Sequence, residues 1–150
     1  MRKFIHGFSA ALVMVLFFAT LALAYPSHIA SPRAVFDDGA VPQDMELLQN
    51  FRNSYLREYP SSSYRDIGEK FDNFFGPSRW WNYDEYNVVM AGMAMIDGAR
   101  SKLRISFYRE GAEPVWISYI QVNGETVYYW DRDYNKLDLQ NLLRQIYALH

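Results

Sequence analysis

Cysteine is the first thing this chain of 150 residues does without. No disulfide can support the fold, and no thiolate can act as a nucleophile or metal ligand. Histidine is nearly as scarce: His6 lies in an apolar leader, His28 in a proline-containing stretch and His150 at the last position. None is expected where a fold would hold it rigidly, which sets aside Ser-His-Asp and Cys-His catalysis and His- or Cys-based metal sites. A glycine-rich phosphate loop and internal repeats are also missing. So is a surplus of positive charge, with 15 Lys and Arg against 17 Asp and Glu. A generic nucleic-acid binder would be basic, so nucleic acid is not an expected partner.

What is present begins with Arg2 and Lys3, an apolar run from Phe8 to Ala19 and a small-residue ending at Leu21-Ala22-Leu23-Ala24. This reads as a secretory signal peptide over residues 1–24, with an uncleaved membrane anchor as the alternative. The expected destination is the periplasm or the exterior, with membrane contact only through that signal. A lipid attached to cysteine is excluded by composition. Cleavage removes two of the 15 basic residues and none of the acidic ones, leaving a net charge of −4. Aromatic residues make up 17% of the chain, enough bulk for a core without cross-links.

Residues 25–42 hold three prolines and no periodicity, the composition of a flexible tether, so a single domain is expected over residues 43–150. Met45, Leu48, Phe51 and Tyr55 recur at helical spacing, and Pro60 must end that first helix. A second follows with Ser63 as its cap, Asp66 three residues on, Ile67, Phe71, Phe74 and Phe75 on one face, and Gly76-Pro77 as its stop. The short link between them predicts a helical hairpin.

Beyond Pro77 the period becomes two. Asn87–Ile96 and Ala99–Tyr108 flank Asp97-Gly98, and the strand Val115–Val122 turns through Asn123-Gly124 into Glu125–Trp130; both dipeptides favour two-residue hairpin turns. The first turn puts Val88, Met90, Gly92 and Ala94 on one face with Phe107, Ile105, Leu103 and Ser101. Which face of the second hairpin is buried stays open. A last helix is expected over Leu137–Leu149, capped by Asn135 and striped by Leu139, Leu142, Leu143 and Ile146. The expected class is α+β: helical hairpin, four-stranded antiparallel meander, C-terminal helix, with the helices on one sheet face.

Tyr59-Pro60, Ile67-Gly68-Glu69, Phe71-Asp72, Phe74-Phe75 and Trp80 or Trp81, followed by Val88, Met90 and Gly92, form a pattern. It resembles a group of uncharacterised exported bacterial domains that share an Ile-Gly-x-x-Phe-x-x-Phe-Phe helix, a Trp shortly after it and a Val-x-x-x-Gly strand. The similarity spans most of residues 45–148. It implies export and a fold, not an activity. The chain departs from the pattern with Tyr64-Arg65-Asp66 before Ile67 and a longer fourth strand and loop near Asp131. At the level of fold alone it is similar to β-lactamase-inhibitor-like modules and small outer-membrane assembly lipoproteins, which bind proteins; that is analogy.

The remaining chemistry lies in carboxylates, cations and aromatics. Asp131-Arg132-Asp133-Tyr134-Asn135 opens like a calcium loop, but Lys136 stands where glycine is needed and Leu142 where the bidentate glutamate belongs. Asp72, Asp84 and Glu85 are the carboxylates that could support glycoside hydrolysis. Arg100, Lys102 and Arg104 alternate along one strand and form a positive ladder suited to phosphate or carboxylate groups. Trp80 and Trp81 are adjacent in an extended segment and so point opposite ways, offering one of them to a partner or a helix. The expected function is a non-catalytic exported domain that binds an envelope protein, using these five residues as its binding set. The alternatives are a binder of cell-wall glycan or anionic lipid and a carboxylate-based hydrolase. No cofactor is expected, and the oligomeric state stays open.

Overall fold

The computed structural model describes residues 26, 28–36, 43–60 and 66–148; the leader therefore lies outside the described residues. Four helices, α1 (Pro32–Val35), α2 (Met45–Arg52), α3 (Ile67–Phe75) and α4 (Leu139–Ala148), accompany five strands. These are β1 (Arg79–Asn82), β2 (Asn87–Ile96), β3 (Ala99–Tyr108), β4 (Trp116–Val122) and β5 (Glu125–Tyr129). They form one antiparallel meander in the order β1-β2-β3-β4-β5. The class is α+β as the sequence indicates, with one more strand. The addition is the Trp80-Trp81 segment, which pairs Arg79 with Ala91 and Trp81 with Val89.

Both hairpin turns form where Asp97-Gly98 and Asn123-Gly124 place them, and all four residues have positive φ. The β2–β3 register pairs Val88 with Phe107, Met90 with Ile105, Gly92 with Leu103 and Ala94 with Ser101, the face read from the alternation. On that front face α2, α3 and α4 pack Leu48, Phe51, Ile67, Phe71, Phe75, Leu142, Leu143 and Ile146 against the sheet. From the second hairpin, Ile117, Ile120, Val127 and Tyr128 belong to the same core. The Phe71 and Phe107 rings meet edge to face at 5.2 Å. Two glycines permit this closeness. A Cβ on Gly68 would stand 2.8 Å from the Arg52 Cβ, and one on Gly92 would stand 2.8 Å from the Phe75 Cβ.

The helix boundaries differ from the sequence reading. α2 stops at Arg52 instead of running to Pro60, so the helical hairpin is shorter than expected. Leu56 leaves the helix to make a parallel bridge with Val115, and the Arg57 amide donates to the Val115 carbonyl at 2.7 Å. That sheet bond replaces another helical turn. α3 begins at Ile67 with Asp66 at its cap in a left-handed conformation and no side-chain capping bond, so Asp66 is not the third helical residue. Ser63 lies outside the described residues. α4 is capped by Asp138, whose carboxylate accepts from the Asn141 amide at 3.0 Å, not by Asn135.

The largest revision concerns residues 28–36. Part of the expected tether, they form a strap across the back face of the sheet. Ser31 caps α1 by accepting from the Ala34 amide at 3.3 Å, with Pro32 at the first helical position. Val35 and Phe36, 0% and 4% exposed, pack with Trp81, Val89 and Tyr119 into a second, smaller core. Two buried apolar side chains and one cap hold a segment that its proline content made read as a tether.

Candidate interaction surface

Positions that pair directly across an antiparallel ladder share a face. Met93 opposes Lys102, Met95 opposes Arg100 and Ala91 opposes Arg104, so the positive ladder lies on the back face, away from α2, α3 and α4. The strap divides that face. Over one half it buries Trp81, Val89 and Tyr119; over the other, at the β2–β3 hairpin end, Met93 and Met95 remain 38% and 65% exposed. Arg100 and Lys102 are exposed beside them.

The ladder is not uniform. Arg104 is half-buried and donates from Nη1 to the Phe36 carbonyl at 2.8 Å, so it helps hold the strap. Among the described residues, the part of this face that stays open beside the β2–β3 turn is therefore Met93, Met95, Arg100 and Lys102. Methionine is unbranched and polarisable, which lets it mould to varied partners, and the two cations add attraction for negative charge. The alternation could have revealed Met93 and Met95, since they occupy the same face as the ladder once the Asp97-Gly98 turn sets the register.

Trp80 and Trp81 do point opposite ways, and both are packed. Trp80 stacks on Phe107 at 5.3 Å on the front face and donates its indole N–H to Asp72 at 3.0 Å. The same carboxylate accepts from Arg52 at 2.8 Å and from the Ser78 hydroxyl. Trp81 is 5% exposed beneath the strap, with the Arg79 guanidinium 5.3 Å above its ring. Neither indole forms an exposed binding rim. The structure does not bring the five sequence-selected residues together: Arg100 and Lys102 share an open surface, Arg104 secures the strap and the tryptophans serve the two cores.

Of the three candidate carboxylates, Asp72 and Asp84 have structural partners, and Glu85 is exposed. Asp72 holds the network just described, and Asp84 accepts from the amides of Tyr86 and Asn87, each at 2.8 Å, and from the Asn87 side chain. Asn135, within the calcium-like stretch, brackets Tyr129 by accepting from its amide at 2.8 Å and donating to its carbonyl at 3.2 Å. Among the described residues no group of three His, Cys, Asp or Glu side chains could hold a metal ion. A polar groove of about 370 Å³ between α2 and α3 is lined by Gln49, Arg52, Asp66, Glu69 and Asp72 among others.

His28 departs from the sequence reading, because the strap holds it. Its ring stacks on Tyr86 at 4.2 Å and its Nε2 lies 3.8 Å from Glu110, which also accepts from the Tyr108 hydroxyl at 2.7 Å. Burial, and then Glu110, push the Tyr108 hydroxyl well above the ordinary tyrosine range. Beneath α4, burial likewise pushes Tyr147 up, with Tyr59 and Glu58 adding to the effect; the Tyr59 and Tyr147 rings stack at 4.3 Å. Glu58 is 14% exposed, and its Oε2 is buried without a hydrogen-bond partner among the described residues.

Comparison with known proteins returns no matching family model, no matching curated protein and no matching solved structure.

Proposed function

We propose that this is an exported, non-catalytic domain that binds an envelope protein through the open half of its back face. The observation that carries the reading is the exposure of Met93 and Met95 beside Arg100 and Lys102, on a sheet face otherwise covered by the chain's own strap. A small domain without disulfides gains stability by covering apolar side chains; two neighbouring methionines left open are a surface to be covered by something else. Export is proposed from the apolar leader over residues 1–24, and the resemblance of the α3 motif to exported domains agrees with it. Among the described residues no helix is long and apolar enough to cross a membrane.

The test is site-specific photo-crosslinking in the full exported chain, with the crosslinking residue at position 95. Position 45 is the control, since Met45 lies on α2 and is 73% exposed. A discrete protein adduct from position 95, lost in the Arg100→Glu/Lys102→Glu variant, supports the reading. The same adducts from both positions, or none from position 95, overturn it. The cation pair also favours an anionic lipid or glycan as a second reading. Sedimentation with anionic vesicles or wall glycan, abolished by the same double charge reversal and accompanied by no protein adduct, would select it.

A further inference from the structure

An antiparallel sheet has two edges, and uncovered edges invite further pairing. At one edge the chain closes β5: the Lys136 and Leu137 amides donate to the Val127 carbonyl at 3.0 and 3.2 Å, while Asn135 satisfies both backbone groups of Tyr129. At the other, β1 covers β2 only from Val88 to Ala91. β1 is itself capped at Asn82, whose amide donates to the Gln43 side chain at 3.1 Å and whose side chain accepts from the Asp44 amide at 2.8 Å. Among the described residues, β2 runs on to Ile96 with no strand paired to it on that side beyond Ala91.

The direction of the backbone groups in that stretch follows from the other side of the sheet. The Lys102 amide donates to the Asn123 side chain at 2.9 Å, and its carbonyl accepts from the Asn123 amide at 2.8 Å. Both Lys102 groups therefore face β4. Met93, opposite Lys102, sits in a non-hydrogen-bonded pair of the β2–β3 ladder, so its own N–H and C=O face outward. Two residues on, Met95 repeats the arrangement. Among the described residues neither methionine's backbone has a partner on that side. The free edge and the exposed methionine side chains are thus one place.

We propose that an extended acidic peptide segment of the partner docks here as a sixth strand, antiparallel to β2 and in line with β1. This rests on the proposed function above and adds its chemistry. Main-chain bonds to Met93 and Met95 supply affinity, and side chains of the added strand on the back face lie against the two methionines. Acidic character follows from the surroundings: Arg79, paired with Ala91 at the point where β1 ends, is an exposed back-face cation, and Arg100 and Lys102 stand across from Met95 and Met93. A second copy pairing through the same edge would bring these cations onto one continuous face with their own equivalents. Like charge disfavours it.

The probe is a synthetic peptide of about eight residues alternating valine and glutamate, long enough to span the Met93–Met95 edge, titrated into the full chain and followed by amide NMR. The Met93 and Met95 amides are expected to shift and to exchange more slowly. Met95→Pro deletes one outward donor without touching the β2–β3 ladder, and should weaken binding by about tenfold or more while leaving the melting temperature unchanged. Met95→Leu keeps the donor and should bind like the parent. If Met95→Pro fails to fold, N-methylation of the peptide amides that face the edge must abolish binding, and N-methylation of the others must not. Unmoved Met93 and Met95 amides overturn the added strand, as does tight binding to Met95→Pro; crosslinking at position 95 separately decides whether the face is used at all. Protection that rises with protein concentration in the absence of peptide also overturns it, by making a second copy the occupant. Equal binding of a valine–lysine peptide overturns the acidic character.

Discussion

At the scale of single residues, two neighbouring phenylalanines separate what a helical stripe can and cannot specify. Phe71 and Phe74 both fall on the apolar face of α3, yet Phe71 is 0% exposed against Phe107 while Phe74 is only partly buried. Phe71→Ala should therefore cost about 3–5 kcal/mol, and Phe74→Ala distinctly less, in urea unfolding. Equal losses would mean that the sheet contact with Phe107 contributes nothing beyond general burial. Periodicity marked the stripe because a helix brings every third or fourth side chain to one side. It could not grade the stripe, because burial depends on the strand that arrives opposite. The same limit applies to Arg104: three alternating cations read alike until the strap brings a backbone carbonyl to one of them.

At the scale of elements, the strap is the piece whose removal says most. It is tied down by Val35 and Phe36, by the Arg104 bond to Phe36 and by the stacking of His28 on Tyr86. Because it packs in a separate, smaller cluster outside the main core, it can detach without unfolding the sheet. Val35→Asp puts a charge into a fully buried position and should release it. The expected result is fast amide exchange across residues 28–36 and a red-shifted tryptophan emission from Trp81, with the front-face core still protected. Loss of protection throughout β2 and β3 would instead make the strap part of the cooperative unit. The two hairpins were legible because Asp97-Gly98 and Asn123-Gly124 are local signals that need no tertiary help. β1 was not, since four residues containing two tryptophans carry no clear alternation until β2 lies alongside.

At the scale of the whole molecule, stability should fall on the alkaline side. The hydroxyls of Tyr108 and Tyr147 are both held above their ordinary value, chiefly by burial. The folded state keeps those protons at a pH where the unfolded chain has already released them. Their contribution is complete below about pH 10 and is lost as the pH rises beyond it. Tyr147→Phe should flatten the fall in melting temperature above pH 10 relative to the parent, and one late-titrating tyrosine should vanish from the tyrosinate absorbance. An alkaline profile identical in both proteins would place the effect elsewhere.

By itself the sequence determined the α+β class, the existence of a helix carrying Ile67, Phe71, Phe74 and Phe75 and its stop at Gly76, the two tight turns and the alternating faces of β2 and β3. Each depends on steric and hydrogen-bonding preferences within a few residues. Tertiary structure alone decided that residues 28–36 cover half of the back face, that Trp80 and Trp81 divide between two cores and that Arg104 serves the strap. It also decided that the open surface is Met93, Met95, Arg100 and Lys102. Those outcomes depend on which distant backbone groups and side chains meet, Phe36 with Arg104 or Asp72 with Trp80, and no local propensity encodes such meetings.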